Sequence, residues 1–293
     1  MGMTIGMIGL GQIGMPVAQL LLEAGHTVYG YRRHAMDALA ALGGIPARSP
    51  AEIGERCAVA LICVPSDEAL LDLVAGEAGL ARGAQPGFVA ADLSMLTLAA
   101  KREARAALQA SGADLLDAPV SGIPPMVAAK RASYFVSGAQ GAYDRARPAF
   151  AALGEQHYYL GEFGCGSAMK AVANLLVAVH ALAAAEALVL AEKAGLNSQT
   201  VIDLIKPSIA GSATFAARAP TMAARAFEQP NGKTWQVQEF IGVIRSLSEP
   251  LGAPTPLLDT AARYFDQAVA DGHGEHDMSS VFTVLARAAG IIP

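Results

Sequence analysis

The chain has 293 residues, 53% of them hydrophobic and 16% charged, with 21 basic against 26 acidic side chains for a formal net charge of −5. Such a composition excludes a disordered chain, which could not bury enough surface to offset its conformational entropy. A length near twice the usual ~150 residues of a domain points to two domains, and with a net negative charge and no basic block no nucleic-acid footprint is expected.

The first half alternates short apolar runs with helical segments. Thr4 to Ile8 is a predicted strand, Ile13 to Ala24 has helical periodicity and stops at Gly25, and Thr27 to Tyr31 is a second strand. Ser49-Pro50-Ala51-Glu52 reads as a capping box with proline at the first helical position. Cys57 to Val64 is a continuous apolar run, as expected of a strand buried on both faces. A helix near Asp67–Val74, a strand at Phe88–Asp92, a helix at Leu98–Ala110 and a strand at Leu115–Pro119 follow. Tyr134–Ser137 adds one more strand and Tyr143–Leu153 a helix. This alternation predicts an α/β fold with a Rossmann-type, doubly wound parallel sheet over residues 1–162.

Residues 163–293 read as all helical. Gly166 to Ala194 forms one segment too long for an ordinary surface helix, followed by helical stretches at Ser198–Lys206, Ala213–Ala226, Trp235–Leu251 and Pro256–Asp271. Mean hydropathy is positive, +0.36, yet the most apolar stretch carries Lys170, Asn174, His180 and Glu186. No uninterrupted run of about 20 apolar residues is present, so no membrane span is expected. The long apolar helix is expected to pack against a second copy, giving a homodimer or higher homo-oligomer. No signal peptide is expected at the N-terminus. Three cysteines, Cys57, Cys63 and Cys165, predict reduced thiols in a cytoplasmic protein.

Gly9-Leu10-Gly11-Gln12-Ile13-Gly14 stands between the first strand and the first helix. There the first glycine permits a tight turn, the second lets backbone approach a pyrophosphate, and the third allows close helix–strand packing. The phosphates of a dinucleotide would sit on the N-terminal dipole of that helix. An NAD site places Asp or Glu about twenty residues on, at the end of the second strand. This chain has Tyr31-Arg32-Arg33-His34 instead. Two guanidiniums without a carboxylate predict NADP over NAD, the bland alternative being a solvated basic turn. Lys170 and Asn174, four apart, share one helix face. From the residues alone, Lys170 is either a snorkelling surface lysine or an ionisable group at a cleft.

Several segments together resemble the β-hydroxyacid dehydrogenases, the group of 3-hydroxyisobutyrate dehydrogenase and tartronate semialdehyde reductase. Ile8 to Pro16 is similar to the dinucleotide signature of that family, Asp117-Ala118-Pro119-Val120-Ser121-Gly122 to its substrate loop, and Gly164 to Lys170 with Asn174 to its catalytic helix start. Gly252 to Pro256 and Gly272 to Asp277 resemble its closing motifs. The resemblance implies that Lys170 is the general acid/base, that Asn174 orients the substrate or the lysine, and that Ser121 and Gly122 hold a substrate carboxylate. It places Val64-Pro65-Ser66 beside the adenosine ribose and pyrophosphate, and Ser94 near the nicotinamide, with Met95 where a threonine is usual. Departures cluster on the substrate side: Ile123 replaces a second glycine, and Glu239-Phe240 stands where a Lys-Asp pair is usual. A bulkier or less acidic small-molecule substrate is therefore expected, or one whose anion is met by Lys130 or Arg131. The alternatives are an imine reductase-like enzyme, disfavoured by Lys170, or an NADPH-binding protein with little catalysis. Trp235 and His180 read as packing residues. His273, His276 and Asp277 resemble a structural turn rather than a metal site.

Overall fold

The computed structural model describes residues 2–33 and 36–292. Six strands form the main sheet: β1 (Thr4–Ile8), β2 (Thr27–Tyr31), β3 (Ile45–Pro46), β4 (Val59–Ile62), β5 (Val89–Asp92) and β6 (Asp114–Asp117). Their order is β3-β2-β1-β4-β5-β6, and every pair is parallel. The chain winds outward from β1 to β3, then returns past β1 to start β4. The crevice at that reversal, outside the C-terminal ends of β1 and β4, is where such sheets bind ligands.

Burial on both faces explains the continuous apolar runs. Ile5, Met7, Val59, Leu61, Val89 and Ala91 enter the core on one face, while Ile8, Ala60, Ile62, Ala90 and Leu115 enter it on the other. Successive strand residues point to opposite faces, so a two-faced sheet needs an apolar residue at nearly every position. The capping box at Ser49 forms by half. Ser49 Oγ accepts the Glu52 N–H at 3.2 Å, but the Glu52 carboxylate turns to the Arg48 N–H.

The strand expected at Tyr134–Ser137 lies outside the main sheet. It is the centre of a second, three-stranded sheet of β7 (Val120–Ser121), β8 (Ser133–Val136) and β9 (His157–Tyr159). β7 runs antiparallel to β8 and β9 parallel to it. Strand periodicity fixes which faces are apolar but not which partner a strand finds.

The residues up to Lys170 make one compact unit and those from Ala171 a second. One helix, Cys165–Lys193, runs through the division. The second unit also holds helices at Ser198–Ile205, Ala213–Ala224, Thr234–Ser248, Pro256–Ala268 and Val281–Ala288, the last not apparent in the sequence. Its core includes Val237, Ile241, Ile244, Leu258, Phe265 and Phe282. The helix expected to reach Asp271 stops at Ala268 and gives way to a wider π turn at Val269–His273, where Gly272 has φ +90°.

The long helix is long and apolar enough, by length and composition, to cross a membrane. Its polar residues therefore do not by themselves set it apart from a membrane span. Ala178, Ala181, Leu182, Ala185 and Leu188 lie buried at three- and four-residue intervals within the helical unit. Val172, Leu176 and Leu190 on other faces are exposed.

Candidate active site

The glycine loop is shaped by steric exclusion. Gly9 has φ +86°, a left-handed conformation that side chains disfavour, and a Cβ there would lie 2.0 Å from the Cys63 carbonyl oxygen. The Gly9 N–H donates to the Tyr31 carbonyl at 2.9 Å, binding the loop to the end of β2. A Cβ at Gly14 would lie 1.8 Å from the Gly9 carbonyl oxygen, so the helix Gly14–Glu23 starts hard against the loop. Gly11 differs: nothing lies within 4 Å of where its Cβ would be. The exposed Gly11-Gln12 backbone and half-buried Ile13 lead into a helix start that no side chain caps. Open backbone before an uncapped helix N-terminus suits a pyrophosphate. Gly9, Gly11, Gln12, Ile13 and Gly14 would hold it.

At the end of β2, Tyr31 is half-buried and Arg32 lies back on the glycine loop, with Nη1 donating to the Leu10 carbonyl at 3.3 Å. Its Nε is buried without a hydrogen-bond partner. Arg33 is exposed and forms an ion pair with Asp72 at 2.9 Å. Thus a carboxylate does reach this edge, from the helix Asp67–Ala75, 39 residues away in sequence. His34 lies outside the described residues.

The loops after β4 and β5 are joined to each other. Ser94 Oγ accepts the Val64 N–H at 2.9 Å, and the Ser94 N–H donates to Asp92 at 3.1 Å. The Ser94 hydroxyl oxygen therefore braces Val64, while Pro65 next to it is exposed. Ser66 and Thr97 supply the helix caps here, accepting the N–H groups of Ala69 and Ala100.

Beneath these loops lies a group of charges. Lys101, on the helix Leu98–Gln109, is fully buried with its Nζ 2.8 Å from Asp117 Oδ1, 3.1 Å from Asp92 Oδ2 and 2.8 Å from the Ser94 carbonyl. The Asp92 contact is an ion pair not aligned as a hydrogen bond. Burial opposes the ammonium charge, but the two carboxylates outweigh it and hold Lys101 above its ordinary value. Burial pushes the Asp92 carboxyl up, against the attraction of Lys101.

Asp117 carries this group to the long helix. Its carboxylate accepts the backbone N–H and the hydroxyl of Ser167, both at 2.7 Å. Lys170 follows three residues later. It is half-buried, and burial alone brings its ammonium down to about 8. Asn174 is buried one turn further along. Ser121 and Gly122 are half-buried on the small sheet, where a Cβ at Gly122 would come within 2.9 Å of the Ala132 Cβ. Lys130 and Arg131 are exposed beyond the short helix Pro124–Ala128 that Ile123 leads into. Glu239 has its carboxyl pushed up by burial. His273 and His276 face each other, Nδ1 to Nδ1, at 2.9 Å. Among the described residues no three His, Cys, Asp or Glu side chains are placed to share a metal.

The edge of the main sheet thus gathers the glycine loop, Tyr31–Arg33, Val64 and Ser94, and Asp117 links it to the helix that bears Lys170. Sequence reasoning missed Asp72, Lys101 and Ser167. Lys101 left one signal, since it falls with Ala104 and Leu108 on the buried stripe of an otherwise charged helix.

A 3-2-1-4-5-6 parallel sheet with this loop defines a Rossmann-type, dinucleotide-binding fold. Residues 4–161 match the family described as the NAD binding domain of 6-phosphogluconate dehydrogenase. Residues 164–285 match the NAD-binding domain of NADP-dependent 3-hydroxyisobutyrate dehydrogenase. The chain is 32% identical to L-threonate dehydrogenase of Cupriavidus necator over 97% of both. It is similar to the structure of 3-hydroxyisobutyrate dehydrogenase of Mycobacterium tuberculosis with L-serine, at TM-score 0.88 and 30% identity over 97% of this chain and 99% of that one. It is also 28% identical to the cytokine-like nuclear factor N-PAC of Mus musculus, of whose length it spans 50%. Solved imine reductases at 19% to 22% identity share the fold alone. The chain belongs to the β-hydroxyacid dehydrogenase family and is an NAD(P)-dependent oxidoreductase.

Proposed function

We propose that the protein transfers a hydride between NADPH and a carbonyl or 3-hydroxy-acid-like substrate, with Lys170 as the general acid/base. The observation that supports this reading is the half-buried amine of Lys170, three residues along the helix from Ser167, whose N–H and hydroxyl bond Asp117 at the end of β6, with burial bringing its ammonium down to about 8. A proton donor and acceptor works best when it titrates near the operating pH. The bound nicotinamide supplies or accepts the hydride. The Lys170 ammonium protonates the substrate oxygen during reduction, and the neutral amine takes the hydroxyl proton during oxidation. Asn174 orients the substrate or Lys170, while the Ser121 hydroxyl and the Gly122 N–H hold a carboxylate.

Preference for NADP rests on Arg32 and Arg33 and on the lack of a carboxylate within Tyr31–Arg33. The Asp72 pairing moderates that preference, because a 2′-phosphate must compete for Arg33. Ile123 and Glu239-Phe240 favour a substrate bulkier or less acidic than hydroxyisobutyrate or tartronate semialdehyde. The exposed Val172, Leu176 and Leu190 of the long helix support association with a second copy, and the odd cysteine count supports a cytoplasmic location.

The test is oxidation of NADPH and NADH by the purified protein with a panel of aldehydes, semialdehydes and cyclic imines. We expect an aldehyde or semialdehyde to turn over fastest, with kcat/KM about tenfold or more higher for NADPH, equal to roughly 1.4 kcal/mol. Faster turnover with NADH contradicts the cofactor assignment, and a cyclic imine as best substrate contradicts the reaction.

A further inference from the structure

The charge cluster at the ends of β5 and β6 takes no part in the proposed reaction. One ammonium and two carboxylates are costly to bury, and apolar side chains of similar volume would often fill such a space at no loss of stability. Packing therefore does not account for Lys101. Its connections do. Asp117 accepts four hydrogen bonds: Lys101 Nζ and Ser167 Oγ on Oδ1, and the Ser167 N–H and Ser137 Oγ on Oδ2, the last at 3.1 Å. Ser137 Oγ in turn accepts the N–H groups of Gly164 at 3.2 Å and Gly166 at 2.9 Å. The first N–H groups of a helix lack partners inside it, and here those of the long helix find them in Asp117 and Ser137. The seat is tight, since a Cβ at Gly166 would lie 2.2 Å from the Phe135 carbonyl oxygen and 3.1 Å from Asp117 Oδ2. Lys170 sits at the i+3 position from Ser167, on the same side of the helix. On the other flank, Lys101 holds the Ser94 carbonyl, and Ser94 braces Val64.

We propose that Lys101 is a positioning residue for Lys170: its ammonium ties the carboxylate that seats the long helix to the Ser94 loop, so that the helix start and the β5 end are held in one frame. The assignment rests on the reading of Lys170 as the proton-transfer group. The groups facing the cluster are Asp92 from β5, Asp117 from β6 and the Cys63 thiol, which burial and then Asp92 push up to about 12. None of them contributes to lowering Lys170, which responds to burial alone. A helix start released from its seat therefore resolvates Lys170 and moves its titration back toward the usual value of about 10.4.

Acetylation of Lys170 by acetic anhydride, followed against pH by peptide mass spectrometry with surface lysines as internal reference, reads that titration without a substrate. The wild-type midpoint is expected at about 8. In Lys101→Met, thermal unfolding having shown a folded protein, the midpoint should rise by about one unit or more. A folded Lys101→Met protein with the wild-type midpoint overturns the proposal. Lys101→Gln, a second uncharged replacement, tests Lys101 by the same criterion if Lys101→Met does not fold. Ser167→Ala removes one hydroxyl from Asp117 and leaves the charges paired, so it tests the helix seat alone. A rise of about 0.3 units or more supports the seat, and an unchanged midpoint overturns it. Because the labelling reads Lys170 itself, failure of the oxidoreductase reading shows elsewhere, as undiminished turnover in Lys170→Ala.

Discussion

The C-terminal edge of the main sheet is built in two different ways. At β1 the glycine loop is defined by side chains that are missing: Gly9 and Gly14 admit no Cβ, and Gly11 leaves open space. At β5 and β6 the edge is defined by side chains that are buried, with Lys101 between Asp92 and Asp117. The first arrangement exposes backbone donors to a ligand and needs no charge. The second exposes nothing and uses charge to fix the start of a helix. Binding and positioning are thus separate physical problems on one edge, and substitutions should separate them.

The largest effect is expected at Gly9. Gly9→Ala combines a left-handed penalty of about 1–2 kcal/mol per residue with direct overlap on the Cys63 carbonyl, so stability in denaturant and dinucleotide binding should fall together. Next comes Lys101→Met, which leaves two carboxylates without their cation. Breaking a buried pair in this way costs about 3–5 kcal/mol, to be measured in urea, and a dinucleotide affinity close to wild type in the folded protein would keep the two halves of the edge distinct. Gly11→Ala should do the reverse. It fills space that no residue occupies, so stability should change by less than about 0.5 kcal/mol. NADPH affinity by fluorescence titration should nevertheless fall about tenfold, which is 1.4 kcal/mol. Equal losses of stability in Gly9→Ala and Gly11→Ala would erase the distinction between closed and open glycines. The smallest effect belongs to Asp72→Asn. The pair with Arg33 is more than half exposed on both sides and weakly coupled. Freeing Arg33 should tighten NADPH binding by a few-fold at low salt, with NADH unchanged and the gain shrinking as salt rises.

The titration of Lys170 gives a pH signature. Reduction needs the ammonium, so its rate should fall as pH rises through about 8, whereas oxidation needs the amine and should gain over the same range. Stability follows a matching sign. The folded value of about 8 lies below the unfolded value of about 10.4, so the unfolded chain binds more protons between them and this group makes stability rise with pH across that window. Lys170→Met should remove that part of the rise.

What could be read from the sequence follows the same division. A glycine between a strand and a helix has few physical meanings, and the loop, the strands β1, β2, β4, β5 and β6 and the long helix are all apparent in the residues. β3 is two residues long and ends in Pro46, so it carries no periodicity to detect. Tyr134–Val136 has the pattern of a strand, but its place in a second sheet depends on β7 folding back as a two-residue strand. The charge cluster escaped for another reason. Asp92, Lys101, Asp117 and Ser167 are scattered along 76 residues, and Lys101 resembles its exposed neighbour Arg102 until the helix face is known. The link from Arg33 to Asp72 is hidden in the same way. Pairings set by tertiary structure leave only faint marks, such as a lysine on an apolar stripe.

The central claim is that Lys170 moves the proton while the glycine loop binds the cofactor. Turnover and NADPH affinity measured side by side in wild type and Lys170→Ala test it most directly. The account predicts a loss of about 10²–10⁴ in turnover with NADPH affinity within about twofold, a change of only ~0.4 kcal/mol. Turnover near the wild-type rate in a folded Lys170→Ala protein would contradict it.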